Sequence, residues 1–164
     1  MGRGHCTLNV VNGKAYIVMS VSVSVFGQSG AAAAVSDGVL TANELKLHNQ
    51  ALREAIRAGL TLRHGDSPVS FSSMLLNLPK GAHHSTGRSE QLTVMIVAPL
   101  TGKAEQMLPI EVKNTLWDPS ESHLKLKATI TEAGKTIRTE TAKLTPGSDQ
   151  HRFFELSGPK KPTP

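Results

Sequence analysis

Cysteine is nearly absent from this chain: Cys6 is the only one in 164 residues. A lone cysteine excludes an internal disulfide framework, and with it a cysteine-rich zinc centre. Aromatics are scarce as well, at one Trp, one Tyr and four Phe. Trp117, Tyr16 and the phenylalanines are scattered, which disfavours recognition of nucleic acid by base stacking. No apolar run approaches the ~18 residues that a membrane-crossing helix needs. Glycine-rich phosphate loops are missing too, since no Gly-rich run ends in Lys-Ser or Lys-Thr and no Gly-x-Gly-x-x-Gly occurs. Gly27-Gln28-Ser29-Gly30 falls short of a nucleophile elbow. A calcium loop begun at Asp37-Gly38 fails on register, because its twelfth position is His48 and not Glu. No cofactor, metal centre or small-molecule substrate is therefore expected.

What the chain does hold is the pattern of half-buried β-structure. Leu8 to Val25 reads as a hairpin folded around Asn12-Gly13, a dipeptide suited to the two positive-φ positions of a type I′ turn. Its second strand alternates, with Ile17, Met19, Val21, Val23 and Val25 on one face and Val18, Ser20, Ser22 and Ser24 on the other. The order of Lys14, apolar stretch and Ala31–Ala34 also resembles a cleavable leader, but the interleaved serines favour the strand. Gly27–Gly38 is small and polar and reads as a linker.

A helix is expected over 42–58. Thr41 caps it, Glu44 completes a capping box, and Leu40 staples onto Leu45. Leu45, Leu52, Ala55 and Ile56 form the apolar stripe, and Gly59 is placed to end the helix in a left-handed cap. Beyond it, Val69–Leu78 reads as a central strand stopped by Pro79. Leu92–Ala98 reads as a continuous apolar strand closed by Pro99, and Met107–Leu116, with Pro109 near its start, as an edge. Leu124–Leu144 forms a second hairpin about Ala133-Gly134, and Arg152–Leu156 adds a short last strand. The expected fold is mainly β, a sandwich or barrel-like antiparallel sheet with one inserted amphipathic helix; a mixed α+β sheet is the alternative. One domain spans 1–156, followed by a flexible Pro/Lys-rich tail over 157–164.

The net charge of +5 is unevenly placed. The excess lies before residue 36 and after residue 120, while the middle balances. Basic ends suit a polyanion or an acidic lipid surface. The candidate contacts are Arg3 near the N-terminus, Lys46, Arg53 and Arg57 on the helix, Lys125 and Lys127 on a strand face, and Lys160 and Lys161 in the tail. Contact with phosphates through Lys and Arg is the expected mode. The bland reading of the helix cations is a solvated face favoured by the helix dipole. Seven histidines read as surface residues; His5 beside Cys6 suggests a soft-metal pair, and adjacent His83 and His84 an acid–base role in a loop. Met1-Gly2 with Cys6 approximates an acylation pattern but lacks its Ser or Thr. Pro159-Lys160-Lys161-Pro162 has polyproline-ligand spacing.

Three functional classes follow. The first is a non-enzymatic structural or assembly protein that self-associates and contacts a polyanion, either nucleic acid backbone or anionic membrane. It has the general character of viral coat and matrix proteins, in a cytoplasmic or virion setting. The second is an exported β-sandwich binding module for a protein or small ligand. The third is an enzyme using His83 or His84. The expectation adopted is the first.

Overall fold

Asn12 and Gly13 adopt φ of 51° and 76°, the left-handed pair that a type I′ turn requires. They join β1 (Gly2–Val11) to β2 (Lys14–Ser22) in the computed structural model. The structure describes residues 2–27, 29–35, 37–79, 88–100, 108–117 and 122–155. Ala15, Ile17, Met19 and Val21 are buried, while Tyr16 and Val18 face outward, so the alternation is realised. The second strand is shorter than expected, because Val23–Phe26 coils into a 3₁₀ turn that carries Val23, Val25 and Phe26 into the core. Gly27–Gly38 is not a loose linker: Ala31, Ala34 and Val35 are buried around a second 3₁₀ turn at Ala32–Val35. Small side chains here allow close packing.

β3 (Leu40–Thr41) leads into the helical segment. The capping box forms in full, with Glu44 N–H donating to Thr41 Oγ1 and Thr41 N–H donating to Glu44 Oε1, each at 3.0 Å. The expected single helix is broken at His48 into α1 (Ala42–Leu47) and α2 (Asn49–Gly59). Leu45 finds His48 and Asn49 at the next positions of its stripe, so nothing apolar holds that turn to the core. Leu52, Ala55 and Ile56 are buried as expected. Gly59 is needed for a different reason than a left-handed cap. It passes directly into β4 (Leu60–His64), and a Cβ there would overlap the side chain of Leu116.

The remaining strands are β5 (Ser67–Val69), β6 (Ser73–Asn77), β7 (Arg88–Ser89), β8 (Gln91–Pro99), β9 (Ile110–Asn114), β10 (Ser122–Glu132), β11 (Lys135–Leu144) and β12 (Gln150–Phe153). They form a six-stranded sheet in the order β11-β10-β1-β2-β8-β6, a four-stranded sheet β12-β9-β4-β5, and the β3-β7 pair. The protein is therefore mainly β with one helical segment. Three local expectations are corrected. The stretch 69–78 is not one strand: Val69 ends β5 in the four-stranded sheet, and Ser73–Asn77 alone form β6, an edge rather than a central strand of the six-stranded sheet. β9 is flanked by β12 and β4, with Pro109 lying just before it, so it is not an edge. β8 alternates rather than being buried throughout, with Leu92, Val94, Ile96 and Ala98 inside.

All pairings in the six-stranded sheet are antiparallel except β1 with β10, which run parallel from Gly2↔Ser122 to Val11↔Thr131. One buried cluster unites the inner faces of both large sheets with Leu52 and Ile56 of α2. No helix among the described residues is long and apolar enough to cross a membrane.

Candidate anion-binding face

Period-two alternation decides what the six-stranded sheet shows to the outside. Where β1 buries Cys6, Leu8 and Val10, it exposes His5 and Thr7. Where β10 buries Leu124, Leu126 and Ala128, it exposes Lys125 and Lys127. The pairing register then sets these residues into rows across the sheet. One row reads Lys143, Lys125, His5, Ser20, Thr93, Asn77 from β11 to β6. The next reads Thr141, Lys127, Thr7, Val18, Met95, Leu75. A third reads Thr139, Thr129, Asn9, Tyr16, Val97, Ser73. No carboxylate stands in any of the three.

Lys125 and Lys143 are direct cross-strand neighbours. Like charges so placed repel. Neither has an acidic partner among the described residues, where the ion pairs are His151–Glu140 and Arg152–Glu155. Together with His5, Thr7, Lys127 and Thr141 they line a shallow depression of about 530 Å³. Ammonium groups beside threonine hydroxyls supply the donors that phosphate or sulfate oxygens accept. A cation cluster with no carboxylate in its rows costs the fold and suits an anionic ligand.

The other expected basic residues are dispersed. Lys46 and Arg57 are exposed on α1 and α2. Arg53 is spent on structure, because its Nη2 donates to the Met74 carbonyl at 2.5 Å and its Nη1 to Asn49 Oδ1 at 3.4 Å, fastening α2 to β6. The continuous helix stripe is thus interrupted at its middle member. Glu54 accepts from Gln50 Nε2 at 2.9 Å. Arg3 lies opposite His123 in register, and its side chain falls outside the description. His83, His84 and the 157–164 tail with Lys160 and Lys161 also lie outside the described residues.

The histidine expectations resolve differently. His5 and Cys6 sit on opposite faces of β1 and cannot share a metal. No group of three or more metal-ligating side chains occurs among the described residues. His151 gains an orienting carboxylate that the sequence did not reveal, with Nε2 2.9 Å from Glu140 Oε2. Glu140 Oε1 accepts from the Phe154 N–H at 3.0 Å. Both oxygens thereby tie β12 to β11, and the pair serves as a clasp between the sheets.

Cys6 points into the core and is 3% exposed. Burial pushes its thiol from 9.0 up to about 12. An acyl chain at this position would have to displace core side chains. The folded state therefore holds the thiol proton at pH values where the unfolded chain loses it. Stability from this residue is full below pH 9 and falls as pH rises through the window from 9 to about 12. Between pH 8 and pH 10 the wild type is expected to lose about 1.4 kcal/mol more than Cys6→Ala. Urea unfolding of both proteins at the two pH values measures the difference; parallel pH profiles would refute it. In the same state the thiol stays unreactive toward a thiol reagent at neutral pH until the chain unfolds.

No protein-family model matches the chain, and no curated protein matches it in sequence.

Proposed function

We propose that this protein is a non-catalytic binding and assembly protein whose six-stranded sheet contacts a polyanion through Lys125, Lys127 and Lys143. The observation that carries this reading is the outer face of that sheet, where three lysines cluster and no carboxylate stands in the rows they occupy. Evolution of such a surface for solvation alone would normally intersperse both signs, since like charges opposite one another weaken the sheet. β1, from one end of the chain, pairs with β10 near the other, which sets His5 and Thr7 beside Lys125 and Lys127.

Self-association is the second half of the proposal. β11 forms one margin of the six-stranded sheet and β6 the other. A ten-residue margin such as β11 offers a ladder of backbone donors and acceptors to another copy.

Heparin titrated against the full chain tests the polyanion half. Three lysine contacts release enough counterions that raising salt from about 50 to 200 mM weakens binding roughly 40-fold. Salt-independent binding, or none, would overturn the reading. Light scattering after size exclusion reports the oligomer size in the same buffers.

A further inference from the structure

The same face is not uniformly cationic. Val18, Met95 and Leu75 are consecutive neighbours in the row that begins with Thr141 and Lys127. They are 45%, 36% and 58% exposed, and Tyr16 beside them is 40% exposed. From Lys127 on β10 to Leu75 on β6 the row crosses four strand spacings, about 19 Å. An apolar patch and a cationic patch thus share one broad sheet surface, and no carboxylate lies in the rows that carry them.

Resting on the polyanion-binding reading above, we infer that the partner of this face is an anionic lipid bilayer. Charge complementarity demands a negative partner, since no carboxylate stands in the rows that hold the cations. Exposed Val18, Met95, Leu75 and Tyr16 demand that the same partner accept apolar side chains within about 20 Å of its negative groups. A nucleic acid backbone meets the first demand only. Its phosphates would leave the apolar patch facing water, and the single tyrosine offers one stacking site rather than a row of them. A bilayer surface meets both, with phosphate headgroups opposite Lys125, Lys127 and Lys143 and the acyl boundary within reach of the apolar row. Tyrosine is suited to that boundary, having an apolar ring with a polar tip. Lysine stems add apolar contact while their ammonium groups stay at headgroup level.

The test is co-sedimentation of the full chain with vesicles of phosphatidylcholine alone, or with about 30 mol% phosphatidylserine. A triple variant, Val18→Ser, Leu75→Ser and Met95→Ser, removes the apolar row while keeping every charge. These positions are exposed, so the variant is expected to keep its thermal transition. Binding to the phosphatidylserine vesicles, weakened about tenfold or more in the triple variant while heparin binding is unchanged, is the expected result. Vesicle binding that the triple variant retains in full would overturn the inference, because charge alone would then account for it. So would heparin binding without vesicle binding, or preference for a DNA duplex over vesicles at matched phosphate; either leaves the polyanion reading standing. If neither heparin nor anionic vesicles bind, both readings fall together.

Discussion

Phe153→Ala is expected to lower the unfolding free energy by about 3–5 kcal/mol, the range for truncating a fully buried phenylalanine. The ring is 0% exposed and meets the edge of His151 at a centroid distance of 4.5 Å. It also closes β12, a strand of only four residues whose ladder partner is β9. Phe154 follows it into the core, although consecutive strand residues ordinarily point to opposite faces. The positive φ of 62° at Phe154 makes this possible by turning the chain back on itself. Such a conformation costs an aromatic residue of order 1–3 kcal/mol, and here Glu140 holds it by accepting from the Phe154 N–H. Arg138 lies 5.4 Å over the Phe154 ring. Truncating Phe153 opens a cavity next to that strained residue and removes the packing that offsets its strain. For a chain of this length, each kcal/mol moves the thermal midpoint roughly 2–4 °C, so the expected drop is about 6–20 °C by circular dichroism. Val18→Ser on the outer face should stay within about 0.5 kcal/mol of wild type. A loss below about 1 kcal/mol for Phe153→Ala would mean that β12 frays independently of the cooperative core.

Local chemistry made much of the fold legible. Asn12-Gly13, Ala133-Gly134 and the Thr41–Glu44 capping box each act through a few neighbouring atoms, and all three form where the residues place them. Alternation likewise assigned Ile17, Met19 and Val21 to the core. What stayed hidden depends on distant partners. Nothing in Gly2–Val11 announces that it lies parallel to a strand 120 positions later, because either edge of β1 is equally able to donate its ladder. The break at His48 and the packing of Ala31–Val35 were hidden for a related reason. Propensity describes a segment by itself, whereas burial against neighbouring elements decided both.

The anion-binding candidates show the same division. Lys125 and Lys127 were visible as the outward members of an alternating strand, but Lys143 was not. The Ala133-Gly134 turn pairs Glu132 with Lys135 and Thr131 with Thr136. Continued without interruption, that register sets Ala142 opposite Lys125 and Glu140 opposite Lys127, and turns Lys143 to the core side. A bulge intervenes between Ile130 and Thr131, with Ile137 as the extra residue on β11. Everything beyond it changes face. Lys143 moves out beside Lys125, and Glu140 moves in to meet His151. One inserted residue thus both adds a cation to the outer surface and withdraws the carboxylate that would have neutralised it. Bulges of this kind re-aim side chains at functional positions, and residue types alone do not reveal them.

Lys125, Lys127 and Lys143 replaced together by Gln are expected to weaken heparin binding by about 150-fold at low salt. Each lysine near an anionic surface contributes about 1 kcal/mol, and about 3 kcal/mol corresponds to that factor. The residual binding should lose most of its salt dependence, since few released counterions remain. Stability is expected to move the other way. Lys125 and Lys143 face one another across the ladder, so Lys125→Gln alone relieves a like-charge pair that costs about 0.2–1 kcal/mol. The thermal midpoint should therefore rise slightly while affinity falls. A solvating role for these lysines predicts unchanged binding, and a structural role predicts a lower midpoint; either result would refute the assignment. Opposed shifts in affinity and stability are the signature of charges kept against the interest of the fold, and they separate a ligand-binding surface from a merely soluble one.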